Sequence, residues 1–255
     1  MKKNPEIHII VQARMSSTRL PGKVMFPILG KPVIQHIWEL LQRSATARKV
    51  IIATSDSPND DSLAAFLTNL GASVYRGDEN DVLSRFYQAA KQFGSDLIVR
   101  ITADDPLKDP TLIDYAVRSV LQKPEIDYLS NTIRPSFPAG QEVEVFWFKT
   151  LERAFNDAKL ASEREHVTPY IWKNTGLFNV QNFEHTENLG HWRWTLDKPE
   201  DLELISLLYQ RFYQDGKLAG FLEIIEYLKT RPDLVAMNID TDRNEGYFKS
   251  IANER

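Results

Sequence analysis

The stretch "IIVQARMSSTRLPGKVMFPILGKP", residues 9–32, concentrates basic side chains in a chain whose formal net charge is −4. It contains Arg14, Arg19, Lys23 and Lys31 and no acidic residue. The small, turn-forming residues between them let backbone amide groups converge on an anion, and an arginine grips phosphate oxygens with two N–H groups. A lysine adds a mobile charge that can follow a leaving pyrophosphate. The pattern favours a polyphosphate site, although four solvated loop charges would have the same composition.

Two carboxylates are candidates for holding a divalent cation beside such a polyphosphate. Mg²⁺ is usually bound by one or two carboxylates together with substrate oxygens. Asp104 follows the apolar run "LIVRIT" and Asp197 follows "HWRWTL", so each comes just after a predicted strand. Each has an alternative role, since Asp104 could begin a turn before Pro106 and Asp197 could cap a helix that begins near Pro199.

The elements that must position these side chains alternate between strand and helix patterns. Short β-branched runs predict buried strands at 7–12, 50–54 and 96–101, and apolar spacings of three and four residues predict helices at 32–43 and 60–71. This alternation is typical of βαβ units and a mostly parallel sheet. In such a sheet the ligand site lies at the carboxyl ends of the strands. The loop has neither GxxxxGK[ST] nor GxGxxG, so it is not a Walker A loop, and dinucleotide binding has no support.

The second half of the chain changes character before helices resume. Prolines and a glycine precede the alternating segment "EVEVFWF", which predicts a loop and strand insertion within one domain. The segment "HWRWTL" at 191–196 predicts another strand, and amphipathic patterns predict helices at about 199–213 and 218–229.

Composition narrows the class of protein. A chain of 255 residues with 42% hydrophobic and 26% charged content is typical of a soluble globular protein with one main core. The count of zero cysteines excludes disulfides, thiolate metal sites and a cysteine nucleophile. The N-terminal apolar run is too short for a signal peptide, and nothing approaches the ~20 apolar residues of a membrane span. We therefore expect a cytoplasmic protein with no nucleic-acid partner and no membrane partner.

The string "VQARMSSTRLPGK", followed by "GKPVIQH", resembles the signature of the cytidylyltransferases that make CMP-activated acidic sugars. These are the acylneuraminate and 3-deoxy-octulosonate enzymes and especially the SpsF-like spore coat polysaccharide branch. Later segments agree in the same order, so that the resemblance covers about residues 7–205: "DVLSRFYQAA", "RITADDPLKDPTLID", "EVEVF", "SEREHVTPYI" and "TLDKPEDLELI".

The resemblance implies an α/β fold, the Rossmann-like three-layer nucleotide-diphospho-sugar transferase fold with a mostly parallel sheet. It further implies a single cytidylyltransferase domain over residues 1–255, with a small insertion at about 124–175 and C-terminal helices at about 199–229. Enzymes of this family commonly form homodimers, so we expect a homodimer.

Site residues follow from the matching motif positions. The catalytic charge-stabilising residues implied are Arg14, Arg19 and Lys23. The nucleotide-binding residues implied are Gln12, Ala13, Arg14, Met15, Arg76, Asp81, Arg85, Thr102 and Asp104. The implied ligands of Mg²⁺ are Asp104 and Asp197. The sugar-binding residues implied are Asn131, Gln141, Glu142, Arg164 and His166. The family usually has a glycine where Ala103 stands, which narrows the approach of the backbone to the nucleotide at this point.

Several of these positions have alternative roles. Asp81 could simply cap the helix that follows it without binding a nucleotide, and Arg85 could be a solvated helix residue. "SERE" fits a polar helix face equally well, and a lone histidine such as His166 is more often structural than catalytic.

The implied reaction is an attack by the anomeric hydroxyl of a 3-deoxy-ulosonic acid on the α-phosphorus of CTP, with release of pyrophosphate. Two alternatives remain at this point. One is a sugar-1-phosphate nucleotidyltransferase, which generally has a first loop richer in glycine. The other is a nucleotide-binding module of a polysaccharide pathway that does not catalyse a reaction.

Overall fold

A computed structural model of the chain describes residues 4–239, 243, 245–252 and 254. The strands are β1 Ile7–Gln12, β2 Pro27–Ile28, β3 Lys31–Pro32, β4 Lys49–Ser55, β5 Ser73–Gly77, β6 Leu97–Thr102, β7 Tyr128–Ser130, β8 Glu144–Trp147, β9 Val180–Asn182, β10 Tyr213–Gln214 and β11 Lys217–Leu218. The α-helices are α1 Val33–Leu41, α2 Asp61–Asn69, α3 Val82–Phe93, α4 Pro110–Gln122, α5 Phe148–Asp157, α6 Ala161–His166, α7 Pro169–Lys173, α8 Pro199–Phe212, α9 Phe221–Lys229, α10 Pro232–Val235 and α11 Glu245–Ala252.

The main sheet has seven strands in the order β5-β4-β1-β6-β8-β7-β9. Strands β5, β4, β1 and β6 are parallel. Strand β8 pairs antiparallel with both β6 and β7, and β9 pairs parallel with β7. The mostly parallel sheet predicted from the βαβ pattern is confirmed. The antiparallel strand β8 lies within the "EVEVFWF" segment, where a strand was predicted.

Helices cover both faces of this sheet because its strands are apolar on both faces. Successive residues of a strand point to opposite faces. Ile9 and Val11 of β1 therefore pack in a core that includes helices α1, α4, α8 and α9. Ile10, between them, packs in a second core with helices α3, α5 and α7. The predicted three-layer arrangement is confirmed.

The strand predicted at 191–196 is wrong. This segment forms only an isolated parallel bridge between Arg193 and Ala139. Its alternating pattern reflects burial of Trp192, Trp194 and Leu196 in the first core. Gly140 permits the close approach, because its φ is 102° and a Cβ there would lie 2.7 Å from the carbonyl carbon of Trp194.

Within the residues that the structure describes, no helix combines the length and apolar character needed to cross a membrane.

Candidate active site

The candidate site lies where β1 and β6 end side by side. Gln12 and Thr102 are register partners at the ends of these two strands. Beyond them the Ala103 amide donates to the Gln12 carbonyl oxygen at 3.0 Å, which keeps the two outgoing loops together. The carboxyl ends of parallel strands thus bring the first loop and the Asp104 turn to one place, as predicted.

A buried carboxylate that we did not predict as a site residue holds the first loop. Asp60, 1% exposed, accepts a hydrogen bond from the Met15 amide at 2.7 Å and others from Thr54 and Ser55. The loop then folds back so that the Gly22 amide donates to the Met15 carbonyl oxygen at 2.9 Å. The sequence placed Asp60 only at the start of a helix. Asp60 lies 45 residues from Met15 in the sequence, and nothing in its neighbours indicated that it would bind the backbone of the first loop.

Lys23 stands at the centre of the site and joins its two predicted carboxylates. Its Nζ donates to Asp104 Oδ2, to Asp197 Oδ1 and to the Leu196 carbonyl oxygen, each at 2.8 Å. All three donors of the ammonium group are therefore used. Burial would lower the pKa of Lys23, but the two carboxylates outweigh it and raise that pKa. Lys23 stays charged in the folded chain.

Asp197 is surrounded by cations. Its Oδ1 also accepts from Arg19 Nη2 at 2.6 Å, and its Oδ2 accepts from Arg193 Nη2 at 2.7 Å. The alternative role of Asp197 as a helix cap is wrong, because Asp201 accepts the backbone N–H groups of Asp197 and Lys198 at 2.8 and 2.9 Å. Asp197 is thus free to serve the site, and Asp201 with Arg193 positions it.

Asp104 is held ionised by the same lysine. Burial alone would raise its pKa, but the charge and hydrogen bond of Lys23 outweigh burial and lower it to about 2. Because the folded pKa lies below the ordinary value, the stabilisation from this pair is present above about pH 4 and is lost as the pH falls towards 2. At neutral pH the site therefore presents two carboxylates.

These carboxylates fit the donor chemistry of Mg²⁺. Two of their oxygens lie 2.8 Å from one nitrogen, so they already converge on a single cationic point. The described residues include no group of three or more His, Cys, Asp and Glu side chains that could hold a metal. A magnesium ion here would therefore complete its shell with water and substrate oxygens, which is its usual behaviour.

Arg14 is the basic residue of the loop that has no anionic partner. Among the described residues it makes no hydrogen bond or ion pair, and it is half-buried. Burial lowers the pKa of the nearby Arg85, and the charge of Arg14 lowers it further. An uncompensated, partly desolvated guanidinium is a group suited to receive an anion.

Two arginines that we predicted to bind the nucleotide donate hydrogen bonds to backbone carbonyl oxygens of neighbouring turns. Arg85, 2% exposed, donates to the carbonyl oxygens of Asp78 and Glu79, so its alternative role as a solvated residue is wrong. Arg76 donates to the carbonyl oxygens of Ser55 and Ser57, each at 2.9 Å. Both arginines therefore shape the loops around the site, and direct contact with a base or ribose stays a prediction.

Asp81 and Arg164 form an ion pair. Asp81 caps α3 by accepting from the Ser84 amide at 2.9 Å, and both of its oxygens accept from Arg164 Nε, at 3.1 and 3.0 Å. Arg164 Nη1 donates to the Phe155 carbonyl oxygen at 2.9 Å. The guanidinium is thus already paired. Binding an acceptor carboxylate, which stays a prediction for Arg164, would require it to share or exchange this partner.

Two of the predicted sugar-binding side chains support the loop between β7 and β8. Asn131, 1% exposed, donates to the Gln141 carbonyl oxygen and accepts from the Val143 amide, each at 2.8 Å. Gln141, fully buried, accepts from the Asp109 amide at 3.1 Å. The side-chain amides of both residues hydrogen-bond backbone groups. Any contribution to sugar binding would therefore come through the loop that they stabilise.

A buried ion pair beside the site was missed. Arg100 and Glu144 are cross-strand partners on β6 and β8 and form an ion pair. Arg100 Nη2 also donates to Gln12 Oε1 at 3.0 Å, while Glu144 Oε1 accepts from Tyr128 and Thr168, each at 2.6 Å. The available signal was Arg100 inside the apolar run "LIVRIT" and Glu144 between apolar residues of "EVEVF", because a charge in a buried strand requires a partner.

Comparison with known proteins agrees with this geometry. The family described as "Cytidylyltransferase" matches residues 8–219. The spore coat polysaccharide biosynthesis protein SpsF of Bacillus subtilis is 34% identical over 235 residues, which cover 89% of this chain and 96% of that protein. The 3-deoxy-manno-octulosonate cytidylyltransferase of Geobacter sulfurreducens is 33% identical over 122 residues, or 47% of each chain. The structure of a cytidylyltransferase from Leptospira borgpetersenii superposes with a TM-score of 0.87 at 31% identity, covering 94% of this chain and all of that one.

Proposed function

This chain belongs to the cytidylyltransferase family, and we propose that it transfers CMP from CTP to an acidic 3-deoxy-2-ulosonic sugar. The observation that carries the proposal is the position of Lys23 between Asp104 and Asp197, with Arg14 of the same basic stretch making no hydrogen bond or ion pair to the described residues. This is a charge arrangement that a triphosphate with a divalent cation would complete. The resemblance to SpsF supports a role in surface or spore coat polysaccharide synthesis.

In the proposed reaction the anomeric hydroxyl attacks the α-phosphorus of CTP, a new P–O bond forms, and pyrophosphate leaves. The protein positions the phosphates and stabilises their charge, because phosphoryl transfer needs little covalent chemistry from side chains. Arg14 and Arg19 bind phosphate oxygens, and Lys23 follows the charge that develops on the leaving group. The hydroxyl proton passes to a base, for which His166 is the candidate because burial lowers the pKa of its ring.

Asp104 and Asp197 would hold Mg²⁺ in this site. When bound, the ion supplies positive charge against the triphosphate. Asp104 is the more accessible ligand, since its side chain is 23% exposed and that of Asp197 is 5% exposed. Arg193 fixes the orientation of Asp197 by donating to Oδ2, the carboxylate oxygen that Lys23 does not contact.

The test of this function is pyrophosphate release with each nucleoside triphosphate and a panel of acceptors in the presence of Mg²⁺. We expect turnover with CTP and an acidic eight- or nine-carbon ulosonate, and none with neutral aldoses. Efficient turnover of a sugar 1-phosphate would support the alternative of a sugar-1-phosphate nucleotidyltransferase. Binding of CTP without pyrophosphate release from any acidic sugar would reject the proposed reaction.

Replacing Arg14 with alanine should weaken CTP binding without weakening the fold. One lost charge-assisted hydrogen bond, about 1.5–3 kcal/mol, corresponds to a rise of roughly 10- to 100-fold in the KM for CTP. Because Arg14 makes no hydrogen bond or ion pair to the described residues, the melting temperature of the Arg14→Ala variant should match that of the unmodified chain. Steady-state kinetics measures the KM for CTP, and calorimetry measures the melting temperature. The matched control is Arg48→Ala, because Arg48 is exposed and pairs with Glu6. An unchanged KM for CTP would remove Arg14 from the phosphate site.

Replacing Arg164 with lysine distinguishes its two possible roles. If Arg164 reads the acceptor carboxylate, the KM for the acceptor should rise on the order of tenfold, about 1.4 kcal/mol, while the KM for CTP stays constant. Varying both substrates measures the two constants separately. A rise confined to the KM for CTP would show instead that Arg164 acts on the nucleotide side through Asp81.

A further inference from the structure

The described C-terminal residues, 243, 245–252 and 254, return across the candidate site. They lie beyond residues 8–219, which the cytidylyltransferase family match covers. Arg243 forms an ion pair with Glu142 and donates to the Phe137 carbonyl oxygen at 3.0 Å. Ser250 Oγ lies 3.0 Å from His166 Nε2. This one segment therefore contacts two predicted acceptor residues, Glu142 and His166.

The same segment also reaches the phosphate side. Glu245 Oε2 lies 3.4 Å from Arg19 Nη1, and beyond the other end of α11 Glu254 accepts from Ser162 Oγ at 2.9 Å. No residue of α11 is fully buried. The helix is held by these polar contacts and by the ring of Tyr247, and it extends from the first loop to α6.

Tyr247 is the residue of α11 whose polar group lacks a partner. Its ring packs edge-on to His166, with 5.2 Å between ring centroids, and against Trp172 at 5.7 Å. Its hydroxyl oxygen is buried and makes no hydrogen bond to any described residue. Leaving a buried hydroxyl unpaired is costly, and native structures rarely retain such a group without a partner.

We propose that α11 forms a wall of the acceptor site and that the Tyr247 hydroxyl hydrogen-bonds a polar substituent of the bound acidic sugar. The inference rests on the proposed function, since it assigns a residue to the acceptor of that reaction. A phenolic hydroxyl both donates and accepts, which suits the hydroxyl and acyl groups of a polyhydroxylated sugar. Glu245 of the same helix pairs with Arg19 at 3.4 Å, so this wall reaches the cationic first loop.

The test is Tyr247→Phe, assayed with CTP and with N-acetylneuraminate or 3-deoxy-manno-octulosonate, whichever the unmodified chain turns over. We expect the KM for the acceptor to rise about tenfold, while kcat and the KM for CTP change less than about twofold. Because the hydroxyl has no described partner, the melting temperature should stay the same or rise. The matched control is Tyr115→Phe, which removes an exposed hydroxyl on α4 and should change none of these constants.

An acceptor KM within about twofold of the unmodified value would overturn the inference. So would a fall in melting temperature with equal rises in both KM values, because that pattern indicates a packing role. If the unmodified chain turns over no acidic sugar, the proposed function fails first and this inference fails with it.

Discussion

Pyrophosphate release should fall by about 10²- to 10³-fold when Lys23 is replaced with alanine. Removing one group that stabilises transition-state charge typically costs about 2.7–4 kcal/mol. Lys23 is the one side chain that donates to both Asp104 and Asp197 among the described residues, and its own side chain is only 10% exposed. Its loss removes the cation that follows the leaving group. Single-turnover kinetics at saturating CTP measures this loss directly.

The same substitution should destabilise the fold and make its stability depend on Mg²⁺. Breaking a buried ion pair by removing one partner costs about 3–5 kcal/mol, because the carboxylates that remain repel each other. A magnesium ion between them should restore part of this loss, since a ligand that binds only the folded state raises its stability. We therefore expect Mg²⁺ to raise the melting temperature of Lys23→Ala more than that of the unmodified chain.

Lys31→Ala is the matched control for Lys23. Lys31 belongs to the same basic stretch but pairs with Glu39 at 2.8 Å, and its side chain is 36% exposed. Such a surface pair contributes about 0–1 kcal/mol, so activity and stability should both change little. If Lys23→Ala retained pyrophosphate release within about twofold, ~0.5 kcal/mol of barrier, the role of Lys23 would be wrong.

The sequence predicted the parallel part of the fold well because buried strands have a strong local signal. The predicted strand at 7–12 coincides with β1, and those at 50–54 and 96–101 differ from β4 and β6 by one residue at their ends. The failure at 191–196 has a physical cause. An extended segment with alternating apolar and polar residues has the same periodicity whether or not a neighbouring strand completes its hydrogen bonds.

The site was predictable in its centre and less so at its edges. Lys23, Asp104 and Asp197 do converge, because strand ends of a parallel sheet meet at one edge. Partner choice over long separations was not predictable. Arg164 pairs with Asp81, 83 residues away, and Asp60 binds the Met15 amide, 45 residues away. Such pairs depend on the folded positions of the loops. Residue type and spacing do not predict these positions.

Asp104→Asn and Asp197→Asn should each reduce kcat by about 10²- to 10³-fold, and the double substitution should lose much less than the product of the two. Both carboxylates converge on one cationic point, so removing either disables the same assembly. Chelation of Mg²⁺ should abolish activity in the unmodified chain and have little further effect in the variants. Full additivity would show that the two aspartates have separate roles. Asp233→Asn is the control, since Asp233 is an exposed carboxylate that pairs with the exposed Arg231 and has no role in the proposed site.

Stability should separate the two aspartates even though their kinetic losses are similar. Asp197 accepts from Arg19, Lys23 and Arg193, so Asp197→Asn leaves several cations near the site undercompensated. We expect a loss of about 3–5 kcal/mol in the free energy of unfolding. Asp104 is more exposed, and its partner Lys23 still has Asp197 as a partner when Asp104 is replaced. Asp104→Asn should therefore lower the free energy of unfolding by about 1 kcal/mol. Urea denaturation at pH 7 measures both, and equal losses would contradict the greater burial and charge compensation of Asp197.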